Sequence, residues 1–571
     1  MVLCLILSLL LLRRMADRRW FVADFETTNE QYYLQHGYTR VWLYAISDPD
    51  GNIINLGSSI TEFFTYCITH LKGSTIYFHN LRFDGSFILA YLFSIGYATD
   101  YSPKPKERTF STLIGDMGEF YCIDVKVSDK CLLHFKDSLK LLPMPVKRIA
   151  ESFKLPMLKG SIDYSDYVIN DTTIKYVSND VAIVALALKE IKSHGMTKMT
   201  TASCAFNAYK SGCNMNFIKY AYPSLSLPFL TTYRKAYRGG RCQVSPLFER
   251  KTLTNVNRYD VNSMYPHVMR NLPLPYGDPI PLSSLSDGKR YSFALYHIRV
   301  EFMLKTRHMP TLLKKGGLYS AGDSYYISSE GCEELYISSV DLELLYRHYE
   351  ILSIEFLDGY GFYTSTDMFT KYVDYWYSRK KVDKNGKKQV DKLMLNSLYG
   401  KFGTDVMKRS KRVYIDDDVV SFNYSEYEES THYYLPVAIA VVSHAHKIID
   451  DAIVATGYNN FVYCDTDSVH TLGELPSELV SATELGKFKL EAHETMSKYV
   501  RQKCYLTQEE GQLHITCAGM TEAMKERAID IYGLNLFSTF DIGFQIGGKL
   551  MPKRVKGGVI LHETTFEIKQ Q

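Results

Sequence analysis

Apolar residues recur along this chain with two alternating periods over its first two hundred positions. Trp20-Phe21-Val22-Ala23-Asp24 and Thr75-Ile76-Tyr77-Phe78-His79 are short apolar runs, which predict buried strands. Ile174 to Lys192 instead places its apolar residues on one face of a 3.6-residue period, which predicts an amphipathic helix. That alternation from Trp20 to about residue 190 predicts an α/β domain. A second region begins near residue 200, where Tyr259-Asp260-Val261 reads as a strand carrying a carboxylate near its end. The prolines from Pro266 to Pro281 are expected to break regular structure. Asp367 to Phe402 reads as two helices parted by a turn at Asp383-Lys384-Asn385-Gly386. Val413 to Tyr434 alternates like a hairpin around Asp416-Asp417-Asp418, and Leu435 to Asp451 reads as a buried helix. Pro552-Lys553-Arg554-Val555-Lys556-Gly557-Gly558 reads as a basic, glycine-rich loop.

At 571 residues the chain exceeds what one core organises, so at least two domains are expected. Its 46% hydrophobic and 23% charged residues exclude a disordered protein. A net charge of +3 confines any nucleic-acid surface to local patches, and 45 tyrosines offer rings that can stack on bases. Eleven cysteines without a Cys-x-x-Cys pair argue against a zinc site and fit a reducing compartment. The apolar run Val2 to Leu12 is too short to span a bilayer. Arg13 and Arg14 follow it, whereas a signal peptide carries its charges first. It reads as an extension or as translation ahead of Met15, with a membrane anchor as the remaining alternative.

Three constellations carry chemistry. In Tyr463-Cys464-Asp465-Thr466-Asp467 two carboxylates stand two residues apart, and on an extended segment they point the same way. Such a pair requires a cation between its members, for which two divalent ions are the enzymatic solution, or else it is an acidic hairpin turn. Asp260 adds a third carboxylate. Asp24 and Glu26, Asp84 in His79-Asn80-Leu81-Arg82-Phe83-Asp84, and Tyr176 with Asp180 form a separate set suited to metal-assisted phosphodiester hydrolysis. Finally, Lys392, Asn396 and Tyr399 share one helical face, with Lys380, Lys381, Lys384, Lys387 and Lys388 upstream. Opposite an acidic site this is a phosphate-attracting surface; on its own it would be a solvated one.

In order, these motifs read Asp-x-Glu, Asn-x-x-Phe-Asp, Tyr-x-x-x-Asp, Asp-x-x-Ser-Met-Tyr-Pro, Lys-x-x-x-Asn-Ser-x-Tyr-Gly and Tyr-x-Asp-Thr-Asp. The pattern resembles family B DNA polymerases with a proofreading exonuclease, and its finer spelling resembles their protein-primed branch. Asp137-Ser138-Leu139-Lys140, Leu158-Lys159-Gly160-Ser161-Ile162-Asp163-Tyr164, Lys503-Cys504-Tyr505 and Cys517-Ala518-Gly519-Met520-Thr521 carry that likeness, which spans Arg19 to Lys569.

The resemblance implies a multidomain α/β plus α+β fold, with an RNase H-like 3′–5′ exonuclease joined to a right-hand polymerase. The expected boundaries are 1–18 for the extension, 19–200 for the exonuclease, 201–271 and 435–517 for the palm, 358–403 for the fingers and 518–571 for the thumb. Insertions are expected at 272–357, docking a priming protein, and at 404–434, encircling DNA and parting strands. Asp24, Glu26, Asp84 and Asp180 would ligate the exonuclease metals, with Tyr176 and Lys159 orienting water and phosphate. Thr27, His79, Asn80, Phe83, Ser138 and Leu139 would hold a frayed 3′ end. Asp260, Val261, Asp465 and Asp467 would form the polymerase metal site, with two Mg²⁺ per site and Mn²⁺ as a substitute. Lys380, Lys388, Lys392 and Asn396 would meet the dNTP, beside Tyr265 as a steric gate and Tyr399 at the nascent pair. Ser263, Lys503 and Tyr505 would contact the primer, and Tyr237, Gly239 and Gly240 belong to a linker motif between the two sites. Two family residues on the helix before the acidic hairpin, a Thr and an Arg, are here Val442 and His446. Lys447 or a protonated His446 is expected to take over their grip on DNA. Template, primer, displaced strand, dNTPs and a terminal protein are the implied partners of a monomer without a membrane, working in the cytoplasm of a host carrying a virus or linear plasmid. The remaining alternatives are a nucleic-acid-primed polymerase and a non-catalytic DNA clamp.

Overall fold

The computed structural model describes residues 19–157, 159–160, 167–314 and 324–569. The apolar leader and all of the Leu158–Tyr164 motif except Lys159 and Gly160 lie outside the described residues. Among the described residues no helix is long and apolar enough to cross a membrane.

The first domain is built on eight strands: β1 (Trp20–Thr27), β2 (Val41–Ser47), β3 (Ile53–Gly57), β4 (Thr75–Phe78), β5 (Ala98–Thr99), β6 (Thr109–Ile114), β7 (Phe120–Ser128) and β8 (Cys131–Asp137). They lie in the order β3-β2-β1-β4-β8-β7-β6-β5, with β1, β4 and β8 parallel. Helix α1 (Leu81–Ser94) follows β4, and α2 (Asp171–Ser193) packs on β1 and β2. The α2 stripe Val177, Val181, Val184 and Leu188 steps by four, three and four, so one face meets the sheet. Asn170 starts α2 by accepting hydrogen bonds from the amides of Thr172 and Thr173. Both predicted strands and the predicted helix are thus present.

The second sheet is antiparallel, in the order β23-β22-β21-β10-β20-β19-β9. Its members are β9 (Cys242–Val244), β10 (Thr252–Val261), β19 (Phe461–Asp465), β20 (Ser468–Thr471), β21 (Phe488–Arg501), β22 (Cys504–Glu509) and β23 (Gln512–Cys517). Between β10 and β19 the chain forms α3 (Met264–Asn271), then a four-stranded sheet of β11 (Leu274–Pro281), β12 (Phe293–Leu304), β13 (Glu333–Ser338) and β14 (Tyr349–Ser365) with α4 (Ser339–His348). Two helices follow, α5 (Thr370–Val382) and α6 (Asn385–Phe402), parted at the predicted turn. The long α7 (Leu435–Thr456) is buried around most of its circumference, because α4 covers one side and the second sheet another.

The prolines do not break structure as expected. Pro266 falls in the first turn of α3, where no backbone donor is needed, and Pro275, Pro279 and Pro281 lie on β11, an edge strand. The acidic hairpin is real but shorter: β16 (Lys411–Asp416) and β17 (Val419–Tyr424) are joined by Asp417 and Asp418, both left-handed. Beside it, the two-residue strands β15 (Met407–Lys408) and β18 (Glu428–Glu429) pair with each other. The basic segment near the C-terminus is the tip of a hairpin, β24 (Gln545–Val555) and β25 (Gly558–Glu567), not a free loop. Both hairpins reach back to the first domain: the Thr39 amide donates to Lys556 O at 3.0 Å and the Val413 amide to Tyr101 Oη at 3.3 Å.

Candidate active sites

Strand β19 ends at Asp465, pairs with Ser468 of β20, and leaves Thr466 and Asp467 as a two-residue turn. Thr466 is left-handed, at φ 59°. The two carboxylates therefore do not share an extended segment, as the spacing suggested; the turn itself presents them. Beside them, Asp260 of β10 also pairs with Ser468, and the Val261 amide donates to Asp467 O at 2.8 Å. Val261 is buried in the sheet. Three carboxyls from distant segments are thereby gathered at one end of one sheet. Burial, then the charge of Asp467, pushes Asp260 up to about 7. Burial also raises Asp467, with the charge of Asp465 adding to it. Asp465 is held differently, since Lys503 Nζ donates to both of its oxygens at 2.7 Å.

Helices α5 and α6 bring cations to this acidic end. Burial and the neighbouring charges of Lys392 and Lys388 lower Lys380, while Asp260 opposes them. Lys392 in turn eases both Asp260 and Asp467. Lys380 Nζ donates to Ser263 Oγ at 2.9 Å. Lys392 and Asn396 are exposed on α6, and Tyr399 stacks on Tyr265 with ring centroids 4.1 Å apart. Tyr505 packs against Tyr463 at 5.2 Å, next to Lys503. The resemblance-derived dNTP and primer residues are therefore brought together around one acidic centre.

A second acidic centre lies in the first domain. Asp24 and Glu26 project from β1, Asp84 stands in the first turn of α1, and Asp180 lies on α2. Burial, then the charge of Asp180, raises Asp24 to about 7, although Lys159 opposes this. Asp84 is pushed well above its ordinary value by burial and by Asp24. Lys159 Nζ bonds Asp180 and lies 5.1 Å from the ring centre of Tyr176. A cavity of about 110 Å³ opens between Asp24, Lys159, Asp180 and His79.

Around that centre, Thr27, Phe83 and Leu139 are partly exposed and Asn80 is exposed. His79 donates through Nε2 to Met144 O at 2.8 Å, and burial lowers it to about 4. Ser138 is a correction: it is fully buried, its hydroxyl committed to His79 Nδ1 and Phe78 O, so it shapes the loop instead of facing a strand. No motif gives Asp137 a role. Its carboxylate accepts from the amides of Asn80, Leu81 and Leu139, tying α1 to the end of β8.

Among the described residues no three His, Cys, Asp or Glu side chains converge into a ready-made cage. Magnesium does not need one, since it keeps several waters and takes one or two carboxylates plus substrate phosphates. Among the described residues the buried oxygens Asp84 Oδ1 and Asp180 Oδ1 have no hydrogen-bond partner, which suits cation-binding carboxylates. The residues present fit the ions.

His446 is a second correction. It is buried, with Nε2 donating to Gly239 O at 2.7 Å and Nδ1 3.2 Å from Asp341 Oδ1. Lys447 Nζ turns to Glu343 Oε1 at 3.0 Å. Neither side chain stands ready to grip DNA, because α4 of the 272–357 block covers that side of α7. A cationic cleft that the motifs did not suggest lies where the two hairpins meet the first domain. It encloses about 400 Å³ and is lined by Arg82, Lys411 and Arg554 with Phe83 and Phe422.

Comparison with known proteins agrees with this geometry. The family description "DNA polymerase type B, organellar and viral" matches residues 65–168 and 165–484. The DNA polymerase of Bacillus phage M2 is 35% identical over 590 residues, covering 97% of this chain and 100% of the relative. That of Bacillus phage phi29 is 34% identical, covering 97% and 99%. The solved structure of the phi29 polymerase complexed with primer-template DNA and incoming nucleotide substrates superposes with a TM-score of 0.87 at 33% identity, over 97% of this chain and 100% of that one. On the motifs, the two acidic centres and this end-to-end likeness, the chain is a DNA polymerase of family B and belongs to its protein-primed branch.

Proposed function

We propose that this polymerase extends DNA at the Asp260, Asp465 and Asp467 centre and removes mispaired 3′ ends at the Asp24, Glu26, Asp84 and Asp180 centre. One observation carries the reading: two separate sheets each gather carboxylates that repel one another, buried at Glu26, Asp84 and Asp180 and half-buried at Asp24, Asp260 and Asp467, an arrangement that is costly unless cations neutralise it. Two Mg²⁺ per site, replaceable by Mn²⁺, would supply Lewis acidity that activates the attacking oxygen and neutralises the leaving group.

In the polymerase site the attacking 3′-oxygen, or a hydroxyl of a priming protein, meets the α-phosphate of a dNTP in line. Lys380, Lys388 and Lys392 hold the triphosphate, and Asn396 lies on the same face of α6. Tyr265, braced by its stack on Tyr399, blocks a ribose 2′-hydroxyl, and Tyr399 reads the nascent pair. Ser263, Lys503 and Tyr505 hold the primer terminus, and the Tyr237–Gly240 linker passes it towards the second centre. There Lys159 and Tyr176 orient the phosphate and the attacking water, while Thr27, Asn80, Phe83 and Leu139 line the entry of the frayed strand.

In this reading residues 19–200 form an RNase H-like exonuclease, 201–271 with 435–517 the palm, 358–403 the fingers and 518–571 the thumb. The 272–357 block receives a terminal protein that primes replication of a linear viral or plasmid genome within the host cell. The β16–β17 hairpin, facing the β24–β25 hairpin across the cationic cleft, parts the strands ahead of synthesis.

Primer extension with Mg²⁺ tests the first centre: Asp465→Ala and Asp467→Ala should each abolish it. Asp24→Ala combined with Glu26→Ala should abolish 3′-end degradation and spare extension. Loss of both activities in that double variant would contradict two independent centres.

A further inference from the structure

The turn that presents Asp465 and Asp467 is not held by its own hairpin alone. Its middle amide, Thr466 N, donates to Arg241 O at 2.7 Å, and Cys242 pairs with Asp465 across β9 and β19. Arg241 is itself held firmly. Its side chain is among the largest fully buried ones, with Nη1 donating to Asp450 Oδ1 at 2.7 Å and Nη2 to Pro310 O at 3.3 Å. Asp450, on α7, also accepts from Arg347 Nη1 and His348 Nε2, each at 2.9 Å. One turn earlier on α7, His446 holds Gly239 O. Spaced four apart, His446 and Asp450 share a face of the helix and grip the linker at two points. The 272–357 block adds the rest: Arg238 donates to Leu313 O and Tyr336 O, and the Cys242 amide donates to Tyr325 Oη.

We propose that Arg241 is a positioning residue for nucleotide insertion, anchored by Asp450 so that its backbone carbonyl fixes the Asp465–Asp467 turn. His446 is the second anchor of the same brace. Arg241 touches neither substrate nor reacting atoms in this arrangement; it acts through Thr466. The brace runs from the 272–357 block into the catalytic turn, so displacement of α4 is transmitted to the carboxylates.

The test is single-nucleotide insertion on a primer–template by Arg241→Met and Arg241→Lys, with thermal melting as the check on folding. Asp450 keeps Arg347 and His348 on Oδ2 in both variants, so its charge stays paired although Oδ1 loses its donor in Arg241→Met. Arg241→Met should lower kcat by about 10²-fold, the cost of an ångström-scale misplacement. The KM for dNTP should stay within about two-fold, because the triphosphate lysines are untouched. Arg241→Lys, which can still reach Asp450, should recover most of the loss. Parental kcat in Arg241→Met, a loss confined to KM, or no recovery with lysine overturns the proposal. Should Arg241→Met fail to melt cooperatively, His446→Leu decides. It removes the donor to Gly239 while Asp341 retains the hydroxyls of Ser338 and Ser443, and should cost about ten-fold in kcat. An unchanged rate in that variant refutes the brace.

Discussion

Asp24→Asn should make the first domain more stable while removing the nuclease activity proposed for it. Burial and the nearby carboxylates hold Asp24 at about 7 against an ordinary 3.8. That difference corresponds to about 4 kcal/mol of destabilisation once the group is ionised. The sign follows from proton binding. Below about pH 4 both folded and unfolded chains keep the proton, and there is no penalty. Between the two pKa values the unfolded chain ionises and the folded one does not, so the penalty grows with pH and is complete above about pH 7. Asparagine cannot ionise, so its gain should be small at pH 4.5 and about 2–4 kcal/mol at pH 8. For a domain of this size that is roughly 5–10 °C in melting temperature. Trp20 and Trp42 lie in this domain and report its unfolding by fluorescence. Magnesium should raise the melting temperature of the parent at pH 8 more than that of the variant. A gain equal at pH 4.5 and pH 8, or a loss of stability at pH 8, would refute the electrostatic reasoning.

Three further outcomes are expected. A Cβ on Gly240 would lie 2.7 Å from Thr466 Oγ1, so Gly240→Ala should cost about 10²-fold in extension rate; adding Thr466→Ala should restore part of it, and no restoration would show the clash is not the cause. Lys503→Met removes the cation bridging Asp465 from a half-exposed pair, so melting should move little while kcat/KM for extension drops about tenfold; unchanged extension would remove Lys503 from the site. Arg554 lies in the cationic cleft, so Arg554→Gln should flatten the salt dependence of single-strand binding by about 0.7 in slope, and an unaltered slope would take DNA out of that cleft.

Much of this protein was legible in its sequence because the signals are local. The strand carrying Asp24, the helix carrying Tyr176 and Asp180, the paired helices around Asp383 and the acidic turn at Asp465 are each written in contiguous residues whose period or turn chemistry sets their form. The motif order also announced two acidic centres. Ser138 and His446 went astray because motif position says nothing about burial. One is enclosed by His79 and the end of β4; the other is covered by a helix inserted a hundred residues earlier in the chain. The prolines of β11 misled for a related reason, since a proline is harmless on an edge strand and only the sheet order shows that β11 is an edge. Arg241, Asp341, His348 and Asp450 carry no motif at all, and in one dimension they read as ordinary charged residues. What the sequence alone determined is therefore which elements form and which carboxylates they carry. Tertiary structure decided which charges are buried, which partner neutralises each, and how an inserted block reaches the acidic turn. Those outcomes depend on desolvation and on contacts between segments hundreds of residues apart, which no local pattern encodes.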